Sequence, residues 1–305
     1  MYLICGEALF DLFMQPGDDP TRAGFEARAG GSPFNVAIGM RRLDAAAGLF
    51  TAISNDVLGD KLATMLGDED VATAYLLRTD RKTTLSVISL DGEGVPAYTF
   101  YGDDAADIGI VEADLPTLGD AVIGLHFGSY SIAVAPVADA ALALVQSAGE
   151  RFISLDPNIR PTVEPDMSVW RARVEALVPY VHLLKISSED LEVLYPDLTA
   201  EAFATQMLTA GVKIVVLTDG GEAARGWTAT GVEATVTPPK VDVIDTVGAG
   251  DTFMASLLAE LGDHPHDVVT SLTPQSLTAL LQFCANAAAV TCTRQGADLP
   301  RRSDI

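Results

Sequence analysis

Apolar and polar positions follow two different rhythms along the chain. The all-apolar run Tyr2–Cys5 predicts a short buried strand, and Ala8–Met14 extends it with alternation: Leu9, Asp11 and Phe13 on one side, Phe10 and Leu12 on the other. Gln15–Pro20 is rich in turn residues, so Phe25–Ala29 is predicted to return as a second strand. Ser32 followed by Pro33 predicts a helix start with Ser32 as N-cap, and Val36, Ala37 and Met40 give that helix an apolar face. Leu49–Ser54 reads as a strand and Asp56–Gly67 as a helix striped by Leu58, Leu62 and Leu66. Thr83–Leu90 and Ala97–Tyr101 read as two strands joined through Asp91–Gly94, a hairpin signal.

From Ala121 onward the rhythm changes. Ala121–Gly128, Phe152–Asp156, Val181–Ile186 and Val212–Leu217 are continuous apolar runs of the buried-strand type, and helical stretches such as Ala135–Ala148 and Ser276–Val290 accompany them. Strand–helix alternation predicts an α/β fold with a mostly parallel sheet and helices on both faces. The two early hairpins stand outside that pattern.

Composition narrows the function classes. With 305 residues and 49% hydrophobic content the chain can bury a large single core. A net charge of −23 argues against a nucleic-acid partner, which needs a basic face. No apolar run reaches the roughly 20 residues of a membrane span, and Glu7 and Asp11 interrupt the N-terminal apolar run where a signal peptide would need continuity. Cys5, Cys284 and Cys292 have no metal-like spacing and read as buried thiols of a reduced, cytoplasmic protein.

The chemistry concentrates in Asp245-Thr-Val-Gly-Ala-Gly-Asp251-Thr-Phe. Phe253, Leu257, Leu258 and Leu261 follow at helical spacing, so the glycines feed a helix N-terminus. Open amides and the positive end of the dipole make such a start a cradle for anions, and Gly248 and Gly250 let a phosphate come close. Asp251 then stands where a base could take the proton of an attacking hydroxyl. By itself a Gly-x-Gly-Asp is more often a capped turn. Neither Gly-Lys-Ser nor Gly-Lys-Thr occurs, which excludes a Walker-type P-loop. Phe253 replaces the third glycine that a dinucleotide fingerprint, and so an NAD-linked oxidoreductase, would need.

This nine-residue stretch resembles the C-terminal signature of the ribokinase-like (PfkB) carbohydrate kinases. Gly30-Gly31-Ser-Pro-Phe-Asn35-Val-Ala37 resembles their N-terminal signature, at the expected end of the chain. Within the family Gly6-Glu7-Ala-Leu-Phe-Asp11, Gly31–Asn35 and Asp156-Pro-Asn-Ile-Arg160 are most similar to fructokinases. The resemblance implies one ribokinase-like domain over residues 1–305, a three-layer sandwich. Its small sheet lid would be inserted at about residues 9–30 and 82–107.

The resemblance also implies an ATP-dependent sugar kinase using Mg²⁺ and, in some members, K⁺. Asp251 would be the base, beside the amides of Gly248, Ala249 and Gly250. Asp11, Gly30, Gly31 and Asn35 would hold the sugar, and Arg160 would face phosphate. Lys185, Ser187, Thr218, Gly220 and Asn286 would border the nucleotide. Asp190 would meet the metal-bound phosphates through water, and Asp245 would lie in the monovalent-cation region. Two departures matter. The usual Asn-x-x-Glu is Ser187-x-x-Asp190 here, and Gly102 stands where many fructokinases carry Arg, which leaves 2-keto-3-deoxygluconate, ribose or a nucleoside open as substrates. A catalytically idle sugar- or nucleotide-binding relative is the alternative of another class. Apolar residues on both faces of the lid strands, Leu85 and Val87 on one and Ile88 on the other, predict a homodimer formed through the lids.

Overall fold

The computed structural model describes residues 1–17, 19, 21–90 and 96–305. The predicted Asp91–Gly94 turn and part of the Gln15–Pro20 loop lie outside the described residues. In chain order the strands are β1 (Tyr2–Cys5), β2 (Leu9–Gln15), β3 (Gly24–Gly30), β4 (Ala47–Ser54), β5 (Leu76–Thr79), β6 (Leu85–Leu90), β7 (Pro96–Tyr101), β8 (Gly124–Gly128), β9 (Phe152–Asp156), β10 (Leu183–Ser187), β11 (Ile214–Asp219), β12 (Ala223–Thr228) and β13 (Glu233–Val236). The helices are α1 (Ser32–Arg42), α2 (Val57–Asp68), α3 (Val137–Gln146), α4 (Met167–Leu177), α5 (Ser188–Leu194), α6 (Ala200–Thr209), α7 (Ala249–Leu261), α8 (Pro265–Ser271) and α9 (Pro274–Cys292).

Nine strands form the central sheet in the order β13-β12-β11-β10-β9-β8-β1-β4-β5. Every pairing from β11 to β5 is parallel, and β12 and β13 are added antiparallel at one edge. Burial on both faces explains why β1, β4, β8 and β9 are buried along their whole length rather than alternating. On one face α1, α2, α7 and α9 supply Phe34, Val36, Met40, Leu62, Leu66, Leu257, Leu258, Leu277 and Leu281. On the other, α3, α4 and α6 supply Val137, Leu144, Trp170, Val174, Phe203 and Met207. The layers are helix, sheet, helix.

The early hairpins form a separate four-stranded sheet, β3-β2-β6-β7. Its register places Asp11 between Arg28 and Ser86, and Phe13 between Glu26 and Ile88, on one face. The other face carries Leu12 between Ala27 and Val87, with Met14 opposite Phe25. A buried network ties this sheet to the body: Thr84 and Tyr130 both donate to Asp107, Tyr130 at 2.6 Å, and Phe100 meets the Tyr130 ring edge-on at 5.1 Å.

Candidate active site

The site forms at the carboxyl ends of the parallel strands, where open α/β sheets bind ligands. Two helix starts converge there. Helix α1 begins after Gly31, whose φ of +103° favours glycine, and an added Cβ would come within 2.8 Å of the Glu7 carbonyl oxygen. Helix α7 begins after Gly248, in the left-handed region at φ +80°, with Ala297 packed 2.7 Å from where a Cβ would lie. Thr252 N–H donates to Gly248 O at 2.8 Å, and Ala249 N–H is taken by Thr246 O at 3.2 Å, which corrects the expectation that it stands open; the amides of Gly248, Gly250 and Asp251 are the open donors of this start among the described residues.

Asp251 is 9% exposed, and both its oxygens are engaged by α1. Asn35 Nδ2 donates to Oδ2 at 2.8 Å, and Ser32 Oγ donates to Oδ1 at 2.6 Å. The Ser32 bond corrects the sequence reading: Gly31 occupies the N-cap position and Ser32 lies inside the helix, where its hydroxyl crosses to Asp251. Pro33 still pre-sets the first turn.

Asp11 projects from β2 toward this pair. Gly30 exists to let it in, since a Cβ there would sit 2.6 Å from Asp11 Oδ2. Burial pushes the Asp11 carboxyl up to about 6, and the nearby Asp251 charge adds to that, while a hydrogen bond with Ser86 and the charge of Arg160 oppose it. Arg160 is exposed, donating to the carbonyls of Asn158 (3.2 Å) and Ile159 (3.0 Å), and its charge also reaches Glu7 and Asp190. Gly102 has no room for a side chain, because the Phe100 ring would lie 2.1 Å from its Cβ.

Lys185 is more deeply placed than a surface nucleotide contact. Its ammonium pairs with Asp156 at 2.7 Å, the two side chains being 4% and 2% exposed, and lies 3.3 Å from where a Gly250 Cβ would be. Burial works against its charge, but the Asp156 charge and hydrogen bond outweigh that and hold it above its ordinary value. A buried cation therefore sits directly behind the open amides of α7. The pairing of Asp156 with Lys185, and the ammonium's place under Gly250, carry no local sequence signal; only the family motif Asp156–Arg160 touches the pair.

The remaining candidates line the same strand ends. Ser187 caps α5, accepting from Asp190 N–H at 3.0 Å, and pairs in register with Thr218 on β11. Asp190 Oδ1 accepts from Ile159 N–H at 3.1 Å, joining the loop after β9 to α5. Gly220, at φ +46°, turns β11 into β12 with open space around it. Asn286 on α9 accepts from Gln282 at 2.9 Å and stands apart from the Asp251 cluster's hydrogen bonds. Asp245 accepts from Val247 N–H at 3.0 Å and Gly296 N–H at 2.8 Å, stapling the loop before α7 to the loop after α9. Val243 and Ile244 beside it are exposed apolar residues that the sequence reading did not single out. Among the described residues, no group of three or more His, Cys, Asp or Glu side chains is arranged to hold a metal ion, and no helix is long and apolar enough to cross a membrane.

Comparison with known proteins finds relatives of this chain along nearly its whole length. A fructokinase of Rhizobium leguminosarum bv. trifolii is 40% identical over 263 residues, covering 86% of this chain and 79% of the relative. The crystal structure of a Xylella fastidiosa fructokinase with bound ATP superimposes with a TM-score of 0.89 at 28% identity, covering 99% of this chain and 96% of the other. That of a Vibrio cholerae fructokinase in a form with bound fructose, ADP and calcium ion gives 0.83 at 25% identity, covering 100% and 97%. The family model for pfkB carbohydrate kinases matches residues 3–304, and the chain belongs to that family.

Proposed function

We propose that this carbohydrate kinase transfers the γ-phosphoryl group of ATP to a hydroxyl of fructose. The observation that carries the reading is the meeting of the two glycine motifs: Asn35 from one and Asp251 from the other share a hydrogen bond of 2.8 Å. Asp251 takes the proton of the sugar hydroxyl as its oxygen attacks phosphorus, and ADP leaves on the far side. The Gly250 and Asp251 amides, with the Lys185 ammonium behind them, stabilise the charge gathering on the phosphoryl oxygens. Asp11, Gly30, Gly31 and Asn35 form the sugar side. Arg160, Ser187, Thr218, Gly220 and Asn286 border the phosphates and nucleotide. Fructose as acceptor is supported by the relatives at up to 40% identity that bear the name fructokinase.

Divalent metal would arrive on the ATP phosphates, with Asp190 held by Ile159 N–H as a nearby carboxylate for its water shell. When bound, the ion neutralises phosphate charge. K⁺ would lie by the loops joined at Asp245, a hard oxygen ligand of the right kind, since each of its oxygens keeps a lone pair beyond its amide bond.

The small sheet is read as a lid over the sugar, and its outer face as a contact for a second copy. Met14 and Phe25 on that face are 45% and 44% exposed, and they continue the apolar row through Leu12 and Val87. A two-fold dimer would bury the same patch on both partners. A coupled ADP-release assay over fructose, ribose, 2-keto-3-deoxygluconate and a nucleoside tests the substrate. Turnover on fructose at least tenfold above the others is expected, and a preference for another sugar overturns that choice while leaving the kinase chemistry intact.

A further inference from the structure

We propose that Ser32 is the residue that orients the catalytic base. The proposal rests on Asp251 being that base. At the start of α1 a serine usually serves its own helix, but here Gly31 holds the cap position and makes no side-chain bond. The Ser32 hydroxyl is spent instead on Asp251, 219 positions away, at 2.6 Å. That length belongs to the short hydrogen bonds formed to an ionised carboxylate. Ser32 is 6% exposed and Asp251 9%, so a water molecule has little access to replace the bond.

Asn35 lies one helical turn further on and takes the other oxygen at 2.8 Å. Two donors from one rigid helix face fix both the position and the plane of the carboxylate. A single donor would leave it free to rotate about its Cβ–Cγ bond. Each carboxylate oxygen can accept more than one hydrogen bond, so neither donor has to leave when a sugar hydroxyl arrives. The arrangement is that of nucleophile, base and orienting group, with Ser32 in the third role. The hydroxyl also suits Oδ1 better than an amide would, because it can donate to the carboxylate and accept from the acid formed once the sugar proton has moved. The Asn35 Nδ2 group can only donate. Ser32 thus marks Oδ1 as the oxygen that takes the proton.

The test is a double-mutant cycle. Ser32→Ala is expected to fold, alanine being a good helix former, and to lose roughly tenfold or more in kcat, the scale of one hydrogen bond to a charged group. Fructose KM and ATP affinity should stay within about twofold, since only orientation for the chemical step is lost. Ser32→Thr, which keeps the hydroxyl, should restore most of kcat. In an Asp251→Asn background Ser32→Ala should cost nothing further, because the group it acts through is already gone. A folded Ser32→Ala enzyme with unchanged kcat overturns the proposal, as does a loss that adds fully to that of Asp251→Asn. A Ser32→Thr protein that folds but stays as slow as Ser32→Ala overturns it too. If Asp251→Asn itself leaves turnover intact, the assignment of the base fails, and that result is distinct from the first three.

Discussion

Asn35 Nδ2 donates to Asp251 Oδ2 across 2.8 Å, making a residue of the N-terminal motif and a residue of the C-terminal motif one hydrogen-bonded unit. Residues separated by 216 positions meet because α1 and α7 pack side by side on one face of the sheet with their starts at the same end. In the proposed reading, the sugar side and the phosphate side of the site would therefore be set by one helix pair, and a shift of either helix would change both.

Replacing Asp251 by Asn keeps the shape and removes the proton acceptor. We expect kcat to fall by at least about 100-fold, the usual scale for a general base, with ATP affinity nearly unchanged. Turnover measured by ADP release, with ATP binding measured by calorimetry, checks this. A variant that keeps most of its turnover removes Asp251 from the mechanism.

Asp11→Ala should act on the sugar alone. Asp11 lies against Gly30, largely buried and hydrogen-bonded with Ser86, and in the proposed site its carboxyl also pairs with a sugar hydroxyl. Loss of that pairing costs about 1–3 kcal/mol, or roughly 5- to 150-fold in fructose KM. ATP binding without sugar should be spared. An equal rise in the ATP dissociation constant would place Asp11 in the nucleotide site or the fold.

Much of this site was legible because both motifs are local: glycines required by backbone geometry, followed by a polar residue at fixed helical spacing. The parallel strands were legible because burial on both faces leaves continuous apolar runs such as Phe152–Asp156. Long-range partners were not. Nothing near Lys185 announces that its ammonium pairs with Asp156, 29 positions away, or that Ser32 turns from its own helix toward Asp251. Strand β12 was missed for a packing reason. Arg225 and Gly226 interrupt any apolar run there, and the glycine sits where Leu281 and Leu277 of α9 press within about 3.3 Å of an added Cβ. Gly102 also changes its meaning. In the sequence it stands as a missing cation; in the fold the Phe100 ring, packed edge-on against Tyr130, fills the space its side chain would take.

The Lys185–Asp156 pair predicts an asymmetry between single and double variants. Lys185→Met strands a buried carboxylate, a loss of about 3–5 kcal/mol on the scale of broken buried pairs. Adding Asp156→Leu should recover most of that stability in denaturant unfolding. The double variant should still bind ATP weakly, since the charge behind Gly250 is gone. Equal stability of Lys185→Met and the parent protein would mean that the pair is not buried as described.

Glu7 predicts a pH dependence of stability. It is 1% exposed and its Oε2 has no partner among the described residues. Burial pushes its carboxyl from 4.5 up to about 7, against hydrogen bonding from Ser129 and its own backbone; the charge of Asp107 adds to the rise and that of Arg160 opposes it. Between those values the folded protein holds a proton that the unfolded chain has released. The associated stability is complete below the unfolded value and is lost as pH rises through about 7. Asp11 shifts the same way, so the informative quantity is a difference. Relative to the parent, Glu7→Gln should gain melting temperature progressively between about pH 5 and about pH 8. A constant offset across that range would show that Glu7 does not titrate there.

Val87 tests the dimer. It lies opposite Leu12 on the outer face of the small sheet, in the row that Ala27 continues, while Asp11 and Ser86 face the other way. A charge at this position leaves the sugar face untouched, because neighbouring residues on a strand point to opposite sides. In a two-fold contact the same charge appears on both partners, so Val87→Asp sets two carboxylates against one apolar patch. The variant should fold with the parent's circular dichroism and sediment as a monomer where the parent sediments as a dimer. Its kcat should fall only so far as lid closure depends on the partner, with excess water in the site showing as ATP hydrolysis uncoupled from fructose. A parent protein that sediments as a monomer at micromolar concentration removes the second copy from the outer face. In that case Val87→Asp should leave both mass and kcat unchanged, and the inner face with Asp11 would still close over the sugar.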